Sequence, residues 1–380
     1  MNTLQIKQRT NRLKTFMKDN AIDVAFISNF ENQFYFSGLK AILYSRPILL
    51  VIEKEQESLV IPTLEEAHAK EKTDADHLYV YHEVENRKGG MSYHEQVDTV
   101  ISKLEPGSTV GIEYNALPTD ITLKLMEQGF DIRNIQNEVA TMRAVKSDEE
   151  IEAMRHSGRL VSNALEQTIT NTKAGMSELE IDYYGNEYLF KEVPKHFPNS
   201  TLDYFVMSPS GLSRTNMPHV FSNTRQLENQ DIIIHSRQVG LNGYRAECER
   251  TYFVGEPTER QREVFNVMVR AQQAALDFIK VGVTAKDVNQ QALDVIKAAG
   301  LEEYVVHRTG HGIGVGFHEE PSLRFDNDLV LEAGMVFCIE PGIYIPDVGG
   351  FRHSDTVVLT EQGTEVITDY PKNIDSLIIR

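Results

Sequence analysis

The sequence of 380 residues is poor in cysteine and contains no tryptophan and no long apolar run. Its two cysteines, Cys248 and Cys338, are too few for a disulfide framework and are typical of a reducing cytoplasm. No apolar run approaches the length that crosses a bilayer, and the first residues lack a signal-peptide core. The sequence therefore predicts a cytoplasmic protein without a membrane anchor. The absence of tryptophan excludes nothing.

Basic residues are also in deficit, since 38 Lys and Arg stand against 56 Asp and Glu, for a net charge of −18. Such a charge repels the phosphates of nucleic acids and anionic membranes, so neither is an expected partner. It is compatible with small cationic or zwitterionic ligands. The content of 41% apolar and 25% charged residues is that of an ordinary globular protein, and the length favours two domains.

The first 140 residues predict a small α/β domain. An amphipathic helix over residues 4–18 leads into alternating strands and helices. The predicted strands are 23–28, 47–52, 58–61, 78–81 and 109–113, and the predicted helices lie near 93–104 and 119–126. Residues 35–46 predict a loop that enters a strand. From its position alone, Arg46 in this loop is a solvated surface residue.

Helix-capping patterns mark the beginning of the second domain. Ser147 and Glu150 form a capping box before a long predicted helix, and a second box at Ser177 begins the next helix. The phrase around Ser177 recurs 107 residues later, at 280–288, again between two predicted helices. A period this long excludes a solenoid. It predicts two related halves within residues 147–380, with the sheet inside, the helices outside and a cavity where the halves meet.

Two carboxylates lie on one face of the strand predicted over residues 244–254. Side chains alternate along a strand, so Glu247 and Glu249 share a face with Arg245. Buried carboxylates need a cation or a proton, and the cation could be a metal, Arg245 or a positively charged substrate. An exposed strand with solvated glutamates is the alternative, but the apolar flanks of the strand favour an internal site. Cys248 points to the opposite face, which indicates a small buried apolar residue and not a thiol nucleophile.

Further polar side chains come from three short blocks between residues 306 and 356. They contribute His311 and His318, then Glu340 on an apolar strand, then Arg352. The glycines at 312–316 lack the strand–turn–helix setting of a dinucleotide loop, which excludes that function. His219 follows a loop rich in Ser and Gly, and by itself such a histidine is most often structural.

The blocks resemble the creatinase/prolidase, or pita-bread, family, which includes methionine and Xaa-Pro aminopeptidases. The matching motifs are Gly-His311-Gly-Ile-Gly, His318-Glu-Glu-Pro, Ile-Glu340-Pro-Gly-Ile-Tyr and Gly-Phe-Arg352-x-x-Asp-Thr. The likeness covers nearly the whole chain. It implies an α/β (α+β) fold, with a creatinase-like N-terminal domain at 1–140 and a catalytic pita-bread domain of pseudo-two-fold symmetry at 147–380.

Metallopeptidases of that family hold two metal ions with two Asp, one His and two Glu. His311 and Glu340 match the His and the first Glu, and Glu247 falls on the second Asp. Ser236 and Ser354 fall on the first Asp and the last Glu, so the resemblance implies that a dinuclear centre is lost. No metal cofactor is therefore expected. A single divalent ion held by Glu247, His311 and Glu340 is the alternative.

The departures resemble creatinase and ectoine hydrolase, metal-free relatives that hydrolyse a C–N bond in a small zwitterion. The likeness implies that His219 is the catalytic His and that Glu249 and Glu340 are anchoring carboxylates. A Phe-x-Arg pair reaches in from the neighbouring subunit of creatinase to hold the substrate carboxylate, and it corresponds to Tyr44-Ser-Arg46. The resemblance thus implies a homodimer in which the N-terminal domain of one chain contributes to the site of the other.

Two positions depart from creatinase as well. A site Tyr falls on Arg245, and a second substrate-binding Arg falls near Ser322, so creatine itself is not implied. We expect catalytic roles for His219, Glu249, His311, His318 and Glu340, and substrate-binding roles for Tyr44, Arg46, Arg245, Glu247 and Arg352. His219 would be the general acid/base, assisted by His311 and His318. Glu249 as a covalent nucleophile is a lesser alternative.

The sequence as a whole predicts a metal-independent hydrolase of a C–N bond in a small zwitterionic compound. The bond would belong to an amidine, guanidine or amide, as in ectoine or a creatine-like guanidino acid, whose planar cation suits bidentate carboxylate contacts. One alternative is a metal-dependent Xaa-Pro aminopeptidase or dipeptidase. The other is a non-catalytic binding homologue.

Overall fold

The computed structural model describes residues 3–42, 44–84 and 89–380. The chain divides into two compact units, Met1–Arg143 and Ala144–Arg380. The division lies close to the bounds 1–140 and 147–380, which stay a prediction of the sequence. Within the described residues, no helix combines the length and the apolar character needed to cross a membrane.

The first unit is a mixed sheet with helices. Its helices are α1 (Thr3–Asp19), α2 (Phe30–Ser37), α3 (Glu66–Lys72), α4 (Tyr93–Ile101), α5 (Thr119–Glu127) and α6 (Gln136–Ala144), and its strands are β1 (Val24–Ile27), β2 (Leu49–Glu53), β3 (Glu57–Pro62), β4 (His77–Tyr81), β5 (Thr109–Ile112) and β6 (Asp131–Asn134). The strand order is β4-β3-β2-β1-β5-β6. Ala25 and Ile27 belong to one apolar cluster and Val24 and Phe26 to another, so the period of two buries both faces of β1.

The predicted loop at 35–46 was wrong in its first part. Residues 35–37 form the last turn of α2, which Asn29 caps by accepting a hydrogen bond from the amide of Asn32. Gly38 ends the helix with φ +76°, a left-handed conformation that suits glycine. Six consecutive side chains of α2 are buried, so its sequence shows no amphipathic period to detect. Leu43 of the predicted loop lies outside the described residues.

The second unit packs helices on a larger sheet. Its helices are α7 (Asp148–Asn171), α8 (Glu178–His196), α9 (Gly211–Thr215), α10 (Glu259–Phe278) and α11 (Ala285–Ala298). Its strands are β7 (Leu202–Met207), β8 (Ile232–Leu241), β9 (Tyr244–Val254), β10 (Gly310–Gly312), β11 (Glu319–Leu323), β12 (Val336–Ile339), β13 (Gly342–Ile345), β14 (Gly349–Arg352), β15 (Ser354–Thr360), β16 (Gly363–Val366) and β17 (Ile378–Ile379).

The sheet of the second unit has the order β11-β10-β12-β15-β9-β8-β7. Strand β16 pairs with β15, strand β17 pairs with β9, and β13 and β14 form a separate ribbon. This order brings β9 and β10, which are distant in sequence, into one sheet, with β12 and β15 between them. The side chains of the predicted site therefore come from neighbouring strands.

The helix starts of the second unit are those that the sequence predicts. At Ser147 and again at Ser177 the hydroxyl accepts from the third helical amide, and the glutamate at that position accepts from the cap amide. In the repeated phrase, Thr284 accepts from the amide of Asp287 and begins α11. Each capping interaction satisfies amides that a helix start leaves without intrahelical partners. The two predicted capping boxes and the second helix start are confirmed.

Strands β8 and β9 form the predicted hairpin. Asn242 and Gly243 occupy its turn with φ of +51° and +91°, which matches the two left-handed residues of a type I′ turn. The register pairs Ser236 with Glu249, and the whole of β9 is buried. The strand therefore has two buried faces, and its alternating residues lie on opposite ones.

Candidate active site

Two cavities adjoin in the second unit, with volumes of about 320 and 630 Å³. The walls of both contain His219, His318, Glu340 and Arg352. The smaller cavity is also lined by Phe205, Met207, Ser236, Gln238, Glu247, Glu249 and Phe317, and the larger by Asn289, Leu293, Val305, Val306, His307, Arg308, Arg324 and Phe325. The fold therefore brings most of the predicted site residues of this unit to one place.

A buried imidazole and a carboxylate form the centre of the site. The Nε2 atom of His311 on β10 lies 3.3 Å from Oε1 of Glu340, which directly follows β12. The Nδ1 atom of His311 donates to the carbonyl of Gly312 at 2.9 Å, which leaves Nε2 directed at the carboxylate. Burial opposes protonation, but the charges of Glu340 and Glu247 raise the pKa of His311 to about 9. Burial would raise the pKa of Glu340, yet His311 holds it well below its usual range.

A second pair binds Glu249 on β9 to Arg352 at the end of β14. The Nε and Nη2 atoms of Arg352 donate to the two carboxylate oxygens at 2.5 and 2.9 Å. Its Nη1 donates to the hydroxyl of Tyr344 and to the carbonyl of Pro218. Burial raises the pKa of Glu249 to about 7 against the pull of Arg352. All three nitrogens of Arg352 already have protein acceptors, so its contact with substrate stays a prediction.

Neutral donors occupy the oxygens of Glu247. The Ser354 hydroxyl donates to Oε1 at 2.6 Å, and Nε2 of Gln238 donates to Oε2 at 2.5 Å. Ser354 and Ser236 stand where the metallopeptidase pattern has carboxylates. The structure thus places a hydrogen-bond donor beside Glu247 at a position where that pattern has a ligand.

The side chains fit one metal ion and not two. Potential ligand atoms lie within 4.8 Å of one another in two groups, Glu247 with His311 and Cys338, and Glu247 with Glu249 and Glu340. Arg352 already binds both oxygens of Glu249, and burial raises the pKa of the Cys338 thiol well above its usual value. Nε2 of His311 is buried at ion-pair distance from Glu340 but without a well-aligned hydrogen bond, and its Nδ1 donates to a carbonyl as metal-bound histidines do. Glu247 belongs to both groups, and His311 lies 3.3 Å from Glu340, so the three residues predicted to hold a single ion lie close together, although neither group contains all three.

Two more histidines face the cavities. The ring of His318 stacks on His311 with centroids 3.8 Å apart, and its Nδ1 accepts from Nη2 of Arg308 at 3.1 Å. Partial burial and the positive charges of His311 and Arg308 lower the pKa of His318 to about 4. His219 lies in an exposed loop, next to the Pro218 carbonyl that accepts from Arg352. His318 and His219 thus both face the cavities beside the central pair.

The remaining predicted residues have other partners. Tyr44 is 85% exposed in the first unit, and Nε of Arg46 pairs with Glu83 at 2.6 Å. Their role in the site of a partner chain stays a prediction. Arg245 pairs with Asp203 at 2.8 Å and lies 3.9 Å above the ring of Phe317. The charge of Arg245 is thus already paired within the protein. The predicted contact of Arg245 with substrate also stays a prediction.

Sequence reasoning missed Gln238 and Arg308. Gln238 was within reach of it, because counting outward from the Asn242-Gly243 turn pairs Gln238 with Glu247. Arg308 directly follows His307 in the sequence, but nothing local distinguishes it from a solvated surface arginine. Its place in the cavity wall depends on the packing of distant segments.

The chain matches two known families along most of its length. Residues 152–361 match the family described as Metallopeptidase family M24, and residues 9–145 match the Creatinase/Prolidase N-terminal domain. A protein of Pyrococcus furiosus named Xaa-Pro dipeptidase is 30% identical over 365 residues, which cover 96% of this chain and 98% of that protein.

Solved structures also resemble this chain over nearly its full length. The dipeptidase PepE of Mycobacterium ulcerans has a TM-score of 0.86 at 27% identity and covers 100% of this chain and 99% of its own. The X-Pro aminopeptidase of Thermotoga maritima has a TM-score of 0.83 at 27% identity, and the match covers 97% of this chain and 99% of that chain. These names do not support the expected preference for creatinase and ectoine hydrolase. The family matches and the full-length relatives show that this chain belongs to metallopeptidase family M24, the creatinase/prolidase family, with its pita-bread fold.

Proposed function

We propose that this chain hydrolyses the amide C–N bond of small peptides of the Xaa-Pro kind and uses one metal ion at most. The observation that carries the proposal is that Glu247 lies close to both His311 and Glu340, and that Nε2 of His311 is directed at the Glu340 carboxylate, 3.3 Å away. Relatives named Xaa-Pro dipeptidases support the peptide as substrate. The modest volume of the cavities suits a dipeptide-sized molecule.

The charges of the site support a single divalent ion. Glu247, Glu249 and Glu340 contribute three negative charges, and Arg352 contributes one positive charge. With His311 neutral, the sum of −2 balances one divalent ion but not two. When bound, such an ion supplies Lewis-acid polarisation of the scissile carbonyl and activates water for attack.

The protein's own groups orient the reaction. Gln238 and Ser354 hold the carboxylate of Glu247, and the Gly312 carbonyl holds the ring of His311, so the ligand atoms are preorganised. The leaving nitrogen of an amide needs a proton. His219, in the wall of both cavities, is the proposed general acid that delivers it.

A second candidate is the metal-independent hydrolysis of a small zwitterion, as the sequence predicts. The observation that favours it is the presence of Ser236 and Ser354 in place of two carboxylate ligands. With His311 protonated, the charge of the cluster is −1, which balances an amidinium or guanidinium group. Glu249 and Glu340 would bind that group, and Arg46 of the partner subunit would bind the substrate carboxylate. A homodimer and a cytoplasmic location belong to the same proposal.

Metal content and substrate range separate the two candidates. Elemental analysis of protein purified without added metal is combined with assays of Xaa-Pro dipeptides, ectoine and creatine before and after chelation. The proposed function predicts no more than one ion per chain, and Xaa-Pro hydrolysis that is lost on chelation and restored by metal. Glu340→Gln is expected to lower both metal content and activity, and Glu361→Gln, at an exposed position in the turn after β15, is the matched control.

Other outcomes have clear meanings. Hydrolysis of ectoine or a guanidino acid by metal-free protein would replace the first candidate by the second. Two tightly bound ions per chain would contradict both, because they would require ligands in place of Ser236 and Ser354. No turnover of any of these substrates would favour a binding homologue.

A further inference from the structure

The larger cavity has two arginines in its wall, and they differ in their partners. Nε of Arg324 pairs with Asp326 at 2.8 Å, and the Arg324 side chain is half exposed. Arg308 is half-buried, and its Nε is enclosed without a hydrogen-bond partner. Within 3–42, 44–84 and 89–380, Arg308 has no carboxylate at ion-pair distance. An enclosed guanidinium nitrogen without an acceptor is costly, and an anionic ligand would remove that cost.

The position of Arg308 is set by its contact with His318. Its Nη2 donates to Nδ1 of His318 at 3.1 Å, and His318 stacks on His311 at the centre of the site. Arg308, His318 and Glu340 line the same cavity. A ligand that reaches from Glu340 to Arg308 would therefore stay within one cavity.

The other cations of the second-unit site already have partners. The nitrogens of Arg352 bind Glu249, Tyr344 and Pro218, and Arg245 binds Asp203. Ser322, where the family resemblance has a substrate-binding arginine, carries no charge, and its hydroxyl donates to Glu320 at 3.2 Å. The cavity thus has a cation at a different position from the one that the resemblance implies.

We infer that Arg308 binds a carboxylate of the substrate from within the same chain, so substrates of this site carry an anionic group that lies beside His318. The inference rests on the proposed function, because it names the part of the substrate that the larger cavity holds. A carboxylate accepts two parallel hydrogen bonds from a guanidinium, and within the described residues Nδ1 of His318 is the one acceptor that the Arg308 guanidinium has, so it keeps donors for this contact. The negative cluster at Glu247, Glu249 and Glu340 would repel that carboxylate, which favours binding it at the opposite end of the ligand.

Equilibrium binding to the full-length protein tests the inference without any turnover. The probes are L-proline, ectoine and creatine, which carry a carboxylate, and L-prolinamide, which has an amide in its place. Calorimetry compares the unmodified protein with Arg308→Gln, Arg308→Lys, Arg46→Gln and the matched control Arg324→Gln. Arg308→Gln is expected to weaken binding of the carboxylate probes about 10- to 100-fold and to leave prolinamide unchanged.

Two further variants show whether the loss of affinity is specific to the guanidinium of Arg308. Arg324→Gln should change the affinity less than about threefold, because Asp326 already pairs with that residue. Arg308→Lys should retain part of the affinity, since lysine keeps the positive charge but lacks the two parallel N–H donors of a guanidinium. Thermal unfolding of each variant checks that the fold is intact.

Three results would overturn the inference. These are equal loss of affinity in Arg308→Gln and Arg324→Gln, loss in Arg46→Gln alone, or no binding of any carboxylate probe to the unmodified protein at millimolar concentration. Binding of ectoine but not proline, still dependent on Arg308, would keep the carboxylate site and contradict the peptidase proposal. The two proposals can therefore fail separately.

Discussion

Strand β9 separates two clusters of buried charge that differ in how completely their charges are paired. On the face away from the cavity, the carboxylate of Asp355 accepts from Arg250, Thr368, Gln272 and Lys372 at 2.8–3.0 Å. The guanidinium of Arg250 is satisfied by this carboxylate and by backbone carbonyls. On the cavity face, Arg352 binds Glu249 and His311 pairs with Glu340, whereas Glu247 accepts from the neutral donors Gln238 and Ser354.

The contrast distinguishes a structural charge cluster from a binding one. Both clusters use residues of β9 and β15 that differ by one position along each strand. Both are buried, so burial alone does not show which of them binds a ligand. Asp355 has a donor for each of its lone-pair directions, and a ligand would have nothing to add. The cavity cluster keeps an excess of negative charge that a cation, a proton or a substrate must balance.

The largest expected effect comes from breaking the paired cluster. Asp355→Asn leaves the fully buried Arg250 without its counter-charge, and because an arginine cannot release its proton, the free energy of unfolding should fall by about 3–5 kcal/mol. Glu340→Gln should lower it by less, about 2–3 kcal/mol at neutral pH, because the ion pair with His311 is lost but His311 can release its proton. Urea denaturation measures both variants. Equal losses in the two would contradict the distinction between the clusters.

A medium effect is expected from pH. The pKa of His311 is raised to about 9 from an ordinary value of 6.5, so its contribution to stability is complete below pH 6.5 and is lost as the pH rises through 9. In chelated buffer this loss should amount to about 2–3 kcal/mol, and His311→Gln should abolish it. The pKa of Asp355 is lowered instead, so its contribution is lost only as the pH falls below its ordinary value of 3.8. Urea denaturation series across both pH ranges measure these slopes, and an unchanged alkaline slope in His311→Gln would refute the assignment.

The smallest effect is expected at Cys248, between the two glutamates in sequence but on the other face of β9. Burial raises the pKa of its thiol to about 12, so it holds no reactive thiolate at neutral pH. Cys248→Ala should leave the catalytic rate unchanged and lower the free energy of unfolding by about 1 kcal/mol. Kinetics with the preferred substrate and urea denaturation test this, and a large loss of activity with intact stability would show that the alternation argument fails.

Local patterns predicted much of this arrangement. The capping boxes at Ser147 and Ser177, the Asn242-Gly243 hairpin and the alternation of β9 depend on interactions between residues that are close in the chain, so their residue types suffice. The family motifs likewise placed His311, Glu340 and Arg352 in one domain. Helix α2 was missed because its burial is decided by segments far from it in sequence.

The sequence by itself determined the family, the helix starts at Ser147 and Ser177 and the set of charged side chains that this site contains. Only the tertiary structure decided which charges are paired. Arg352 binds Glu249 across 103 residues, Ser354 binds Glu247 across 107, and Asp355 binds Arg250 across 105. Helix caps and strand alternation follow from short-range geometry, whereas the partner of a buried charge follows from strand order, which no local pattern contains. For the same reason, the place of Arg308 in the cavity wall depends on the tertiary structure.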